Sequence, residues 1–181
     1  MLHHEISGNG KKPLVLLHGF MENTTIWDEM EAHLSKDFTL IKIDLPGHGK
    51  SKVYQEIHTV ELMAEKVKEV IDALKLEKIN LLGHSLGGYV SLAFAEKFPE
   101  ILESMTLFFS TTLADDNEKK QIRRRSIAVI DENFETFVKT SIPNLFSNNE
   151  KDILEGKIEL AKNIAKSTNK EGVKAAQLGM A

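Results

Sequence analysis

Several residue types and patterns that would indicate particular chemistries are missing from this 181-residue sequence. It contains no cysteine, which excludes disulfides and thiolate catalysis. Its net charge of −4 and pI near 6.0 exclude the basic surface that binds nucleic acid or acidic membranes. No apolar run approaches a membrane span, and residues 1–5 lack the basic and apolar segments of a secretory signal. We therefore expect a cytoplasmic protein with one well-buried domain and neither nucleic acid nor membrane as a partner.

The most informative stretch is centred on Ser85. Residues 79–82 form an apolar-biased run that predicts a buried strand, and residues 89–98 have the pattern of a helix. A serine at the tip of so tight a turn needs an unfavourable backbone conformation, and its neighbours two positions away must be nearly free of side chain. Gly83 and Gly87 satisfy that requirement. The pattern Gly-x-Ser-x-Gly is weak by itself, but between a strand and a helix it predicts a nucleophile elbow, residues 83–88, rather than an ordinary glycine-rich turn.

Three further apolar runs, at residues 14–17, 38–43 and 105–109, are also typical of buried strands. The first is followed by His18-Gly19-Phe20 and the second by a loop over residues 44–51. Helical patterns lie between the strands, so the fold class predicted is α/β, with a mostly parallel sheet and flanking helices.

The composition changes after Ser110. Residues 111–181 contain no convincing strand and are rich in charged residues and asparagine. Helical spacing predicts helices near residues 116–130, 134–140 and 151–166, and another from residue 170 to the end. We expect an all-helical appendage to the sheet.

The loop over residues 44–51 ends in Gly-Lys-Ser and so invites comparison with a phosphate-binding P-loop. That motif requires glycine where this chain has Asp44. In addition, Pro46 removes an N–H group that a phosphate cradle would use. The pattern therefore argues against a nucleotide triphosphatase.

Three motifs follow three successive predicted strands: residues 18–20, 44–51 and 83–88. In this order they make the chain resemble an α/β-hydrolase. The resemblance implies that Ser85 is the nucleophile and that the backbone N–H groups of Phe20 and Leu86 form the oxyanion hole. It implies a core over residues 1–110 and a helical cap or lid over residues 111–181. Six residues are expected to support the elbow and the oxyanion loop (residues 18–20). They are His18, Gly19, Gly83, His84, Gly87 and Gly88.

The sequence departs from the family pattern after the elbow. The family order is serine, then an acid, then histidine, yet all seven histidines of this chain precede Ser85. We expect the catalytic acid and histidine to belong to a missing C-terminal part, together with the last core strands, and the chain alone to be inactive. The uncovered apolar surface would then associate with that remainder or with a second copy.

The resemblance implies a serine hydrolase that acts on small carboxylic esters or related acyl substrates without a metal or organic cofactor. One alternative keeps the site but changes the chemistry to carbon–carbon bond hydrolysis, a lyase step or cofactor-free haloperoxidase-like activity. Another is a degenerate hydrolase fold that binds a ligand or a protein partner without catalysis. The sequence does not identify the substrate.

Overall fold

Five strands form one sheet in the order β1-β3-β2-β4-β5. The structure is a computed structural model that describes residues 1–181. The strands are β1 (His4–Ser7), β2 (Lys12–Leu17), β3 (Phe38–Ile43), β4 (Ile79–His84) and β5 (Leu102–Phe108). The helices are α1 (Asp28–Leu34), α2 (Val60–Ala73), α3 (Leu86–Lys97), α4 (Asn117–Ser141), α5 (Glu155–Ser167) and α6 (Lys170–Gly179).

The four strands from β2 to β5 are parallel to their neighbours, and only β1 runs antiparallel, against β3 at one edge. The apolar run of β2 is fully buried from Leu14 to Leu17, as expected for a central strand covered on both faces. The predicted fold class is confirmed. The strand predicted over residues 105–109 begins earlier, at Leu102, and ends at Phe108 because Phe109 has φ 45° and leaves the strand.

The helices α2 and α3 cover the sheet. Thr59 caps α2 by accepting a hydrogen bond from the Leu62 N–H at 3.2 Å, and the apolar stripe of α2 is buried. Seven residues of α3 are buried, so this helix lies against the sheet from its first residue. The sheet and these two helices together contain most of the 19 buried residues of the main core cluster.

The segment after residue 110 is helical, but its boundaries differ from the prediction. The helices predicted over residues 116–130 and 134–140 are joined into α4, with a break at Asn133, where φ is −155° and ψ is 88°. The Asn133 side chain accepts a hydrogen bond from the Thr136 N–H at 2.9 Å and so caps the second half of α4. None of the helices combines the length and the apolar character of a membrane span.

A second core cluster connects the helical segment with the loop after β2. Its six buried residues come from α4, the turn after it, α5 and α6, together with Met21. Phe20 packs against this cluster and against the main core. The loop that was predicted to supply an oxyanion donor therefore lies between the sheet and the helical segment. The division of the chain at residue 110 stays a prediction.

Candidate active site

Ser85 lies at the turn between β4 and α3 with φ 49° and ψ −110°. A residue with a side chain rarely has this conformation, which costs about 1–3 kcal/mol. The chain passes through the turn with almost no free space. A Cβ atom on Gly83 would clash with the Gly87 carbonyl, and one on Gly87 would clash with the Leu17 carbonyl. Glycine at these positions is thus a steric requirement of the turn and of its contact with the end of β2.

The peptide between Ser85 and Leu86 is held by its carbonyl oxygen. The Ser85 oxygen accepts hydrogen bonds from the Gly88 N–H and the Ser110 hydroxyl, both at 2.9 Å. Because a peptide unit is planar, two donors on the C=O also fix the direction of the Leu86 N–H. That N–H belongs to the first residue of α3 and has no acceptor within the helix. It lies at the positive end of the helix dipole, which favours a negative charge nearby.

The peptide between Gly19 and Phe20 is held in the same way. Its carbonyl oxygen is hydrogen bonded to His18 Nδ1 at 2.7 Å and to the Glu22 N–H at 3.2 Å. The Gly19 N–H donates to Glu22 Oε2 at 2.6 Å. The Phe20 N–H donates to no protein group. The structure thus contains two fixed peptides with free N–H groups, one at the start of α3 and one in the loop after β2. That loop contacts the turn before α3 where Gly19 and Glu22 approach His84.

His18 is fully buried and uses both ring nitrogens. Its Nε2 accepts a hydrogen bond from the Leu45 N–H at 2.9 Å, so Nδ1 carries the proton and donates it to the Gly19 carbonyl. Burial lowers the pKa of His18, which keeps the ring neutral. This side chain connects the ends of β2 and β3 and has no nitrogen left to act as a base.

The remaining histidines are also engaged away from the serine. Burial, and then the neighbouring His18, lowers the pKa of His48 to about 3. His58 is buried, and its Nε2 accepts the Tyr54 N–H at 3.1 Å. His84 Nδ1 lies 2.9 Å from Glu22 Oε2. His4 lies on β1, His3 directly precedes that strand, and His33 lies on α1. Ser85 Oγ makes no hydrogen bond to any histidine of the chain.

A serine at the turn of a strand-turn-helix unit, with a fixed loop after β2, is compatible with several families of hydrolytic enzymes. The family model that matches the sequence distinguishes between these families. A family described as alpha/beta hydrolase fold matches residues 12–154. The chain belongs to the α/β hydrolase fold family. The match includes β2 to β5, both loops of the site and most of the helical segment.

Individual relatives agree with this assignment. A mouse serine hydrolase-like protein is 36% identical over 130 residues, which is 68% of this chain and 42% of that protein. An uncharacterized protein of Mycobacterium tuberculosis is 35% identical over 102 residues, 56% of this chain and 30% of that protein. A thermophilic esterase from Thermogutta terrifontis, solved with malate bound, superimposes with a TM-score of 0.92 at 34% identity over 99% of this chain and 66% of that chain. The chain thus spans less than half the length of both sequence relatives.

Two residues at the hydrolase site were not identified as site residues from the sequence, Glu22 and Ser110. Glu22 connects the oxyanion loop to His84, and Ser110 holds the Ser85 carbonyl. Ser110 lies two residues after the end of β5, so its position near the strand end was a usable signal. Glu22 follows Gly19 by three residues in an irregular loop, where no periodic pattern indicates the direction of its side chain.

The loop over residues 44–51 contains no phosphate cradle. The buried carboxylate of Asp44 accepts hydrogen bonds from the Thr24 N–H at 2.8 Å and the Lys50 N–H at 2.9 Å. Gly49, at φ 51°, passes so close to this carboxylate that a Cβ atom there would clash with it. The Lys50 N–H is therefore directed at a carboxylate of the chain, and the N–H groups of Gly47, His48 and Ser51 donate to backbone carbonyls. These amides are not free to hold a phosphate, which agrees with the sequence argument against a P-loop.

Two open grooves, of about 460 and 540 Å³, lie on other parts of the hydrolase surface. The first is bordered by α3, residues 111–115 and the end of α6, and the second by residues 53–56 and α6. Neither is lined by Ser85, Phe20 or Leu86. The residues predicted as nucleophile and oxyanion donors thus lie outside both grooves.

Proposed function

We propose that this protein is a serine hydrolase that cleaves small carboxylic esters or related acyl compounds, with Ser85 as the nucleophile. The observation that carries the proposal is the strained backbone of Ser85 at the N-terminus of α3, beside two fixed peptides with free N–H groups. Strain of this kind persists only where the surrounding structure enforces it, and it is concentrated at functional sites. The ester substrate class is supported by the likeness to the Thermogutta esterase.

In this mechanism the Ser85 oxygen attacks the ester carbonyl, and a base takes its proton. The N–H groups of Phe20 and Leu86 stabilise the negative charge of the tetrahedral intermediate, each contributing about 3 kcal/mol to the lowering of the barrier. The alcohol leaves, and water then attacks the acyl-enzyme and releases the acid. The side chains of Phe20 and Leu86 take no part in binding the oxyanion.

The proposal assigns the catalytic histidine and acid to a C-terminal part of the protein outside these 181 residues. Support comes from the seven histidines, none of which is hydrogen bonded to Ser85 Oγ and two of which are held neutral by burial. Since a general base contributes about 10²- to 10⁴-fold to the rate, the chain alone should be nearly inert.

The test compares the native gene product with its Ser85→Ala variant on p-nitrophenyl acetate and butyrate. We expect hydrolysis by the native protein and a loss of at least about 10³-fold in the variant. Equal turnover by the two proteins would refute the assignment of Ser85.

The 181-residue chain expressed alone gives a second test. A fluorophosphonate probe should label it no more than a heat-denatured sample, because no base activates the serine. Strong labelling that disappears in Ser85→Ala would show that the chain contains its own base and would contradict the assignment of the histidine to another part of the protein.

A further inference from the structure

The carboxylate of Glu22 lies between the two loops that would form the oxyanion hole. We propose that Glu22 is a positioning residue that fixes the oxyanion loop against the nucleophile elbow, through the Gly19 N–H and the His84 ring. The inference rests on the proposed function, because it concerns the geometry in which the two N–H donors meet one oxyanion. Both contacts of Glu22 Oε2 are with protein groups, so Glu22 acts through its neighbours rather than on the substrate.

One oxygen of Glu22 makes both contacts. Oε2 accepts the Gly19 N–H at 2.6 Å and lies 2.9 Å from His84 Nδ1. The three groups meet so closely that a Cβ atom on Gly19 would lie 2.7 Å from Oε2 and 2.9 Å from Nδ1. Hydrogen bonds to an ionised acceptor are short and about twice as strong as neutral ones. The loop and the elbow are therefore joined by a single charged acceptor.

The two contacts of Glu22 are made next to the proposed oxyanion donor Phe20 and next to Ser85. Gly19 is bonded directly to Phe20, so a fixed Gly19 N–H and a fixed Gly19 carbonyl leave little freedom to the Phe20 N–H. His84 directly precedes Ser85 and is held from the other side by the rings of Phe108 and Phe109, at centroid distances of 5.8 and 6.4 Å. Movement of the loop relative to the elbow would break the contact with Glu22.

The contact between Glu22 and His84 joins parts of the chain that are distant in sequence. Glu22 and His84 are 62 residues apart in sequence, and their side chains are 24% and 23% exposed, so solvent screens their contact only in part. Without the carboxylate, the Gly19 N–H would lose its partner, which is unfavourable for a partly buried donor. The loop would then relax toward water, and the separation of the two oxyanion donors would change.

Kinetics of the native gene product test the inference. In Glu22→Ala we expect kcat on p-nitrophenyl butyrate to fall by about 10- to 100-fold with KM within about threefold, as expected for misplaced oxyanion donors. The affinity for a trifluoromethyl ketone, which forms an oxyanion on the serine, should fall by a similar factor. Glu22→Gln retains an acceptor oxygen and should recover most of the loss. Glu77→Gln, at an exposed residue after α2, is the matched control and should be unchanged.

A double-mutant cycle with His84→Ala examines the link between the loops. If Glu22 acts through His84, the double variant should lose little more activity than the worse single variant, whereas independent residues would give additive losses. Additive losses, or a Glu22→Ala variant within about twofold of the native kcat while Ser85→Ala is inactive, would overturn the inference and leave the proposed function standing.

Amide hydrogen exchange does not require catalytic activity. It therefore tests the positioning role of Glu22 separately from the role of Ser85 as nucleophile. In the native gene product, the Gly19 amide should exchange with solvent at least about tenfold faster in Glu22→Ala, and amides of the core strand β2 should be unaffected. Unchanged exchange at Gly19 would refute the positioning role. Faster exchange combined with a fully active Ser85→Ala would support the contact and refute the serine mechanism.

Discussion

Because the backbone at Ser85 is strained, we predict that the protein is more stable when residue 85 has no side chain at all. Ser85→Gly and Ser85→Ala both lack the hydroxyl, so their difference isolates the effect of Cβ at φ 49° and ψ −110°. Relief of the strained backbone favours glycine by about 1–3 kcal/mol. The greater freedom of glycine in the unfolded chain opposes this by about 0.4–1 kcal/mol. We expect Ser85→Gly to unfold with a free energy about 1 kcal/mol higher than that of Ser85→Ala.

Urea denaturation followed by far-UV circular dichroism measures this difference, and thermal melts should show the glycine variant about 2–4 °C higher for a chain of this size. Ser91 provides the control, because it is buried within α3 with ordinary helical geometry. There the order should reverse, with Ser91→Gly about 1 kcal/mol less stable than Ser91→Ala.

The reasoning would be refuted if glycine were no better than alanine at Ser85 while the Ser91 pair behaved as expected. That result would mean that the turn relaxes to accept Cβ without cost. The strained backbone would then lose its value as evidence for a functional serine.

Four further predictions concern packing, pH and charge. Nothing lies within 4 Å of a Cβ atom added to Gly156, so Gly156→Ala should raise the free energy of unfolding by about 0.4–1 kcal/mol, as measured by urea denaturation. Gly179→Ala should lower it by at least about 1–3 kcal/mol in the same assay, because the added Cβ would clash with a backbone carbonyl of the loop before α2. His48 has its pKa lowered to about 3, so below about pH 6.5 the unfolded chain binds a proton that the folded chain does not. Stability should therefore fall toward acid pH by up to about 1.4 kcal/mol per pH unit, and His48→Gln should reduce this slope in urea titrations at pH 7, 6 and 5. The side chain of Lys42 is 5% exposed and its ammonium group lies among three carboxylates, so Lys42→Met should cost about 1–3 kcal/mol. The side chain of Lys68 is 22% exposed and pairs with Asp72 alone, so Lys68→Met should cost under about 1 kcal/mol.

Each of these expectations has a contrary outcome. A Gly179→Ala variant as stable as the native chain would mean that α6 can move away from the loop. An unchanged pH slope in His48→Gln would assign the acid sensitivity to other groups. Equal losses for Lys42→Met and Lys68→Met would show that the burial of Lys42 does not strengthen its ion pairs.

The sequence was sufficient for the sheet and for the elbow, because both depend on local patterns. The apolar run of β2, the stripe of α2 and the glycines around Ser85 each express a short-range requirement of strand, helix or turn. The break in α4 was only half visible. Asn133 lies between two helices predicted from the sequence. In the structure one helix continues across Asn133, and this helix packs against α5 and α6.

The contacts that organise the site could not be read from local patterns. Glu22 and His84 meet only because β2 and β4 are neighbours in the sheet. In the sequence, Ser110 marked only the point after which the composition changes, whereas in the structure its hydroxyl is hydrogen bonded to the Ser85 carbonyl. Single residues in irregular loops have no periodicity, so the partners of their side chains follow from the tertiary structure.

The strand order also determines when the site can form during folding. β2 lies between β3, which follows it closely, and β4, where Asn80 donates a hydrogen bond to a carbonyl 67 residues earlier in the chain. Contacts over such separations form late, because their loop-closure entropy must be overcome first. The oxyanion loop leaves β2 and the elbow leaves β4, so they come together only when this last central pairing closes. A partly folded chain therefore has strands and helices but no assembled oxyanion hole.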